Sequence, residues 1–213
     1  MKSPLIAPAL EEQLKPLLDR LTTTVELICI PGSSEKGREM AVFLQHFSSL
    51  SPYLSCHITQ PGDSAPLDKA LDTSLLPATG ITVPGQLPRM IFHGIPGGKE
   101  ITAFVSAILN AGSAAKPLDR PTVRDIAKVR KPMCLQICIS LACQHCSQLV
   151  ANAHRTAWEN PMITAHMIDA NLYPELVKTY DIQRVPLTVI NGEKPIPGGM
   201  TMAELTTLLA KHK

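Results

Sequence analysis

At 213 residues the chain is long enough for two domains of about 100 residues or one larger domain, and 45% hydrophobic residues suffice for a core. A net charge of +2 excludes a nucleic-acid footprint and a polybasic membrane patch. No run of about 18 apolar residues occurs, and Met1-Lys-Ser-Pro-Leu-Ile-Ala-Pro8 lacks the apolar core of a signal peptide. No membrane segment is therefore expected, and the expected location is the cytoplasm. Structural disulfides are rare there, so the six cysteines read as reduced core residues plus one functional pair.

Leucines at 10, 14, 17, 18 and 21 form a helical stripe over residues 8–21. Val25 to Ile30 reads as a short apolar strand. Ser33-Ser-Glu-Lys opens a helix to about Leu50, with Met40, Phe43, Leu44 and Phe47 on one face. Tyr53 to Thr59 reads as a second strand. The stretch 61–80, rich in Pro, Gly, Asp and Ala, reads as a loop with one helical piece. Arg89 to His93 is expected as a third strand, and a helix as running from about Gly98 to Asn110.

After a linker at 111–118 the same order returns. A helix is expected over 119–130, a strand over 132–139, a helix to about Glu159 and a strand over 162–168. Leu172 to Tyr180 reads as a helix, Leu187 to Ile190 as a strand, and Thr201 to Lys211 as the closing helix. The correspondence reaches single residues. Ile28-Cys29-Ile30 matches Ile137-Cys138-Ile139 at an offset of 109, which also carries Pro52 onto Pro161 and His57 onto His166. Ile95-Pro-Gly-Gly98 matches Ile196-Pro-Gly-Gly199 at an offset of 101. Internal similarity of this kind points to two copies of one fold, residues 1–112 and 113–213.

The chemistry concentrates at Ser140-Leu-Ala-Cys143-Gln-His-Cys146. An apolar strand runs into it and a helical pattern follows, which is the signature of a thioredoxin-like redox site. Unpaired N–H groups at the helix start favour a thiolate, and the i, i+3 spacing places the second sulfur on the same face. An unperturbed cysteine is only a few per cent thiolate at neutral pH, so this help matters. Cys143 is expected to attack and Cys146 to resolve the mixed disulfide. His145, when protonated, would stabilise the thiolate further and make the pair more oxidising. Carried back by 109, the two cysteines land on Ser34 and Gly37, so the first half is expected to have the fold without the dithiol.

Cys138-x4-Cys143-x2-Cys146 also matches a plant-type ferredoxin spacing. No later cysteine supplies a fourth ligand, and a zinc site would need ligands from mid-strand, so no metal is expected. Cys29, Cys56, Cys134 and Cys138 read as small hydrophobes. No carboxylate occupies the strand before the cysteine pair, which leaves the proton acceptor unassigned.

The order β-α-β, cross-over helix, Pro-initiated hairpin and closing helix, in two copies with CxxC only in the second, resembles the N-terminal domain of the flavoprotein (F) subunit of bacterial alkyl hydroperoxide reductase. The likeness rests on Val25-Glu-Leu-Ile28, Ser140-Leu-Ala-Cys143-Gln-His-Cys146, Asn160-Pro161, Ile168-Asp169, and Val185-Pro186 followed by Val189-Ile-Asn-Gly192. It implies an α/β protein of two tandem thioredoxin-like folds, each with a mixed sheet flanked by helices. It further implies a dithiol relay, fed by a thioredoxin-reductase-like flavoprotein carrying FAD and NADH, that reduces a partner peroxiredoxin. The chain itself would bind no cofactor beyond its redox disulfide. By the same resemblance Pro186 is cis and packs on the cysteine pair, the backbone of Val185 pairs with substrate, and Pro88 is the first-half counterpart of Pro186. Gln144-His145 departs from the family's usual order, with His first, so the redox poise need not be inherited. The rival readings are a general protein disulfide reductase and a non-redox scaffold joining a reductase to a peroxiredoxin.

Overall fold

The computed structural model describes residues 2–212. The first half carries α1 (Pro8–Leu18), β1 (Val25–Ile30), α2 (Glu35–Ser48), β2 (Leu54–Ile58), α3 (Ala65–Leu71), β3 (Ala78–Thr82), β4 (Met90–His93) and α4 (Ile101–Gly112). The second half carries α5 (Arg120–Ile126), β5 (Met133–Ile139), α6 (Cys146–Glu159), β6 (Ile163–Asp169), α7 (Pro174–Thr179), β7 (Leu187–Ile190), β8 (Ile196–Pro197) and α8 (Met202–Lys211). All these strands belong to one sheet in the order β2-β1-β3-β4-β6-β5-β7-β8. In each half the first two strands pair parallel and the hairpin pairs antiparallel. The fold is therefore the expected α/β arrangement of two thioredoxin-like copies, fused where β4 pairs parallel with β6, Met90 opposite Ala165 and His93 opposite Ile168.

Two strands lie outside the expected ranges, the two-residue Ile196–Pro197 and a longer one in the first half. Ala78–Thr82, placed by the sequence in a loop, is a fully buried strand. Gly80 at its centre is there because its surroundings demand it: a Cβ on Gly80 would stand 2.4 Å from the Pro88 side chain and 2.7 Å from that of Leu71. This corrects the assignment of Pro88. The two cis peptide bonds are Leu76–Pro77 and Val185–Pro186, and Pro77 precedes Pro186 by the same 109 residues that relate the other matches.

Packing also crosses the joint. All four phenylalanines, Phe43, Phe47, Phe92 and Phe104, form one chain of ring contacts with centroids 5.0–6.0 Å apart, and Phe92 passes it on to His154 of α6 at 4.5 Å. One hydrophobic core includes Leu27, Phe104, Leu149 and Ile190, residues of both halves. Arg89, from the first half, donates to the carbonyls of Ala157 and Trp158 at the end of α6. Arg155 of α6 donates to Asn110 and to the carbonyl of Lys116 in the linker.

Three buried histidines line the joint. The ring of His93 bonds the Leu75 carbonyl through Nδ1 at 2.6 Å and meets Nδ1 of His166 through Nε2 at 2.9 Å. His154 Nε2 bonds the Ile91 carbonyl at 3.1 Å. Burial lowers all three, His93 and His154 to about 4 and His166 to about 3, the last with help from its histidine neighbours. Depressed folded-state values mean that the unfolded chain takes up protons first. Stability is then full above pH ~6.5 and is lost as pH falls towards 4, each unit of depression carrying about 1.4 kcal/mol. Denaturation series from pH 7 to pH 4 will show this loss, and His154→Phe will flatten the slope by removing one of the three groups.

Candidate redox site

Strand β5 is buried over its last three residues and delivers the chain at Ser140 to a tight turn. In that turn the amide of Cys143 donates to the Ser140 carbonyl at 2.8 Å. Helix α6 then begins at Cys146 with no side chain capping its first turn, which leaves its N–H groups and the positive end of its dipole beside the sulfurs. Cys143 and Cys146 are joined in a disulfide with Cα atoms 5.7 Å apart. Cys146 is fully buried and Cys143 only half-buried. An attacking sulfur must be reached by a partner and a resolving one need not be, and the two exposures differ in that sense.

The second wall is the loop before β7. Cys143 Sγ lies 3.9 Å from the Val185 carbonyl oxygen, and Pro186, after a cis bond, is buried behind it. Four residues singled out in the sequence are thus brought together by the fold: Cys143, Cys146, Val185 and Pro186. Gln144 and His145 stand exposed on the turn between the sulfurs, and the His145 side chain caps nothing.

The remaining thiols are of another kind. Burial raises Cys56 to about 11, Cys138 to about 12 and Cys29 further still, and it raises Cys134 as well. Burial thus disfavours the thiolate form at all four. Among the described residues no three His, Cys, Asp or Glu side chains gather as metal ligands. His57 and His166 match in sequence but not in setting: His57 is exposed near Glu26, and His166 belongs to the buried joint.

The equivalent corner of the first half is closed to this chemistry. A Cβ on Gly37 would sit 1.9 Å from the Pro31 carbonyl oxygen. No cysteine fits there unless the start of α2 moves. Ser34 instead caps α2, accepting from the Gly37 amide at 3.0 Å.

The first half contributes something the sequence did not reveal. A 3-10 turn, Gly98–Glu100, leads into α4 and packs against α6. A Cβ on Gly98 would lie 3.3 Å from the Leu141 carbonyl, so this turn touches the loop that carries the cysteines. Glu100 is completely buried, and neither carboxylate oxygen has a hydrogen-bond partner in the structure. Burial, then the neighbouring Asp169, raises its carboxyl to about 7. Asp169 ends β6 directly opposite Ile139 and is itself raised by burial. A buried acid poised near neutrality, set against the helix and loop that hold a disulfide, is suited to exchanging a proton with a thiol. No spacing rule ties Glu100 to Cys146, so sequence reading had no signal for it.

A solved structure of the N-terminal domain of the alkyl hydroperoxide reductase F subunit from Enterococcus faecalis superimposes with a TM-score of 0.89. It is 31% identical, and the match covers 95% of this chain and 99% of that one. The chain belongs to the family of this domain. The alkyl hydroperoxide reductase F subunit of Staphylococcus aureus (strain Mu50) is 30% identical over 200 residues, or 94% of this chain. The chain spans 37% of the length of that curated relative. A thioredoxin-domain family model matches residues 133–210, the half that carries the cysteine pair. A protein disulfide oxidoreductase from Aeropyrum pernix shares the fold, with a TM-score of 0.85 at 19% identity over 97% of this chain and 93% of that one.

In this member of the alkyl hydroperoxide reductase F-subunit N-terminal domain family, the buried Glu100 carboxylate carries a stability cost with a defined pH dependence. The folded value of Glu100 lies above the unfolded one. Its contribution is therefore most favourable below pH ~4.5 and is lost progressively as pH rises towards ~7. Glu100→Gln is expected to raise unfolding stability by roughly 1–3 kcal/mol at pH 8 and to change it little at pH 4. Urea titrations at the two pH values measure the difference.

Proposed function

We propose that the chain is a thiol-disulfide oxidoreductase: a dithiol relay that takes electrons from a thioredoxin-reductase-like flavoprotein module and passes them to the disulfide of a peroxiredoxin, in peroxide defence. The observation that carries this reading is the Cys143–Cys146 disulfide, half-open on the Val185 side and fully buried at Cys146. FAD and NADH belong to the donor module, whether on a separate protein or on the same polypeptide. No helix of the described residues is long and apolar enough to cross a membrane.

In the reduced protein Cys143 is the nucleophile. Its thiolate attacks one sulfur of the partner disulfide, that S–S bond breaks, and the departing sulfur takes up a proton. Glu100 accepts the proton of the Cys146 thiol. The Cys146 thiolate then attacks Cys143 in the mixed disulfide and releases the second partner sulfur, which takes up the second proton. Two electrons pass from this chain to the partner, solvent supplies the proton of the first departing sulfur, Glu100 passes the Cys146 proton on to the second, and the Cys143–Cys146 bond is restored. Gln144, His145, Val185 and Pro186 form the rim against which the partner docks. Units 1–112 and 113–213 divide the labour, the first supplying the acid and the second the sulfurs.

The test uses pre-reduced protein freed of reductant and mixed with an oxidised two-cysteine peroxiredoxin, with peroxiredoxin thiols counted over time. Wild type transfers rapidly, Cys146→Ser stops at a trapped mixed disulfide, and Cys143→Ser transfers nothing. Glu100→Gln slows transfer by about 10- to 100-fold near pH 7 and makes the fall in rate below that pH shallower, leaving the part set by the Cys143 thiolate. Ready reduction of insulin without reduction of the peroxiredoxin would favour the general disulfide reductase, the class of the Aeropyrum pernix neighbour in fold. Undiminished electron flow through Cys143→Ser would leave only the scaffold.

A further inference from the structure

A pocket of about 220 Å³ opens beside the disulfide, between Ser140 and Asn171 on one side and the loop that ends at Val185 on the other. Its floor is apolar, from Val177 and Ile182. Its one charged lining residue is Arg184, which is exposed and immediately precedes Val185. No carboxylate lines the pocket, and those nearby are engaged. Asp181 accepts from the Gln183 side chain at 2.6 Å, and Glu175 is paired with Lys178 at 2.7 Å. Arg184 itself makes no ion pair among the described residues. An unneutralised guanidinium over an apolar floor, one residue from the carbonyl that touches Cys143, is chemically selective. Its planar donors match a carboxylate in a way that neither a neutral nor a cationic group can imitate.

We propose that Arg184 is a specificity-determining residue of the relay, and that this pocket selects partner segments carrying an apolar side chain and a carboxylate next to the disulfide cysteine. The inference rests on the thiol-exchange reading above and narrows its substrate to acidic disulfide segments. Because the contact is a solvent-exposed charge pair, it acts mainly on the rate of productive encounter and is weakened by salt.

The experiment uses two disulfide-linked peptide dimers that contain valine and differ only in having Glu or Gln on both sides of the cysteine. Each is reduced by the pre-reduced full chain under stopped flow. Wild type is expected to reduce the Glu peptide about fivefold faster at low ionic strength, with the preference fading in about 0.5 M salt, where the screening length is about 4 Å. Arg184→Gln removes the preference, Arg184→Lys keeps part of it, and Arg184→Glu reverses it. Equal rates for the two peptides with wild type, or an unchanged preference in Arg184→Gln, overturn the assignment of Arg184 while leaving thiol exchange intact. Failure to reduce either peptide while an oxidised two-cysteine peroxiredoxin is reduced overturns this inference alone, and failure on the peroxiredoxin as well overturns the exchange reading and this inference with it.

Discussion

Everything at the site depends on the parallel pairing of β4 with β6. That ladder turns two four-stranded sheets into one and seats the N-terminal turn of α4 against α6. Either strand left as an outer edge would strip polar groups along the joint of partners that lie across it. His93 meets His166, His154 meets the Ile91 carbonyl, and Arg89 closes the end of α6. Such partnerships tie the two halves together through buried groups that would be costly to leave unpaired.

Against that shared frame the two copies have diverged at a few atoms. In the first, α2 starts so close to Pro31 that Gly37 admits no side chain, and the Leu75 carbonyl, just ahead of the cis-proline, is held by His93 and the Tyr173 hydroxyl. In the second, the start of α6 leaves room for two sulfurs, and the carbonyl of Val185 faces one of them. The copy without the cysteine pair is more than ballast, since it sends the unpartnered Glu100 to the side of the copy that has it. Leaving a carboxylate unsatisfied in a protein interior is costly, and such residues concentrate where proton transfer is needed.

Much of this was legible beforehand. The cysteine pair was readable because thiol exchange requires two sulfurs at one helix start, and the repeat because Ile28-Cys29-Ile30 and Ile137-Cys138-Ile139 fill the same buried strand. What escaped reading did so for physical reasons. Within Ala78-Thr-Gly-Ile-Thr82 the glycine that reads as a loop signal stands where Pro88 and Leu71 press closest, so Gly80 records crowding and not flexibility. The hidden strand in turn concealed Pro77 and passed its role to Pro88. Glu100 escaped because its place beside α6 exists only after the sheet has fused. The groove charge on Arg184 was equally silent, since its meaning depends on which carboxylates nearby are already occupied.

The fused sheet also decides how the protein meets other chains. Its two outer strands are β2, whose exposed end carries His57 and Ile58, and β8, two residues long and ended by a proline. A short strand with proline is a poor template for further pairing. By contrast β6, seven residues long and buried along nearly all of them, would be an adhesive flank if it stood open. Fusion of the copies therefore also keeps a sheet with long, sticky strands from polymerising through its own backbone.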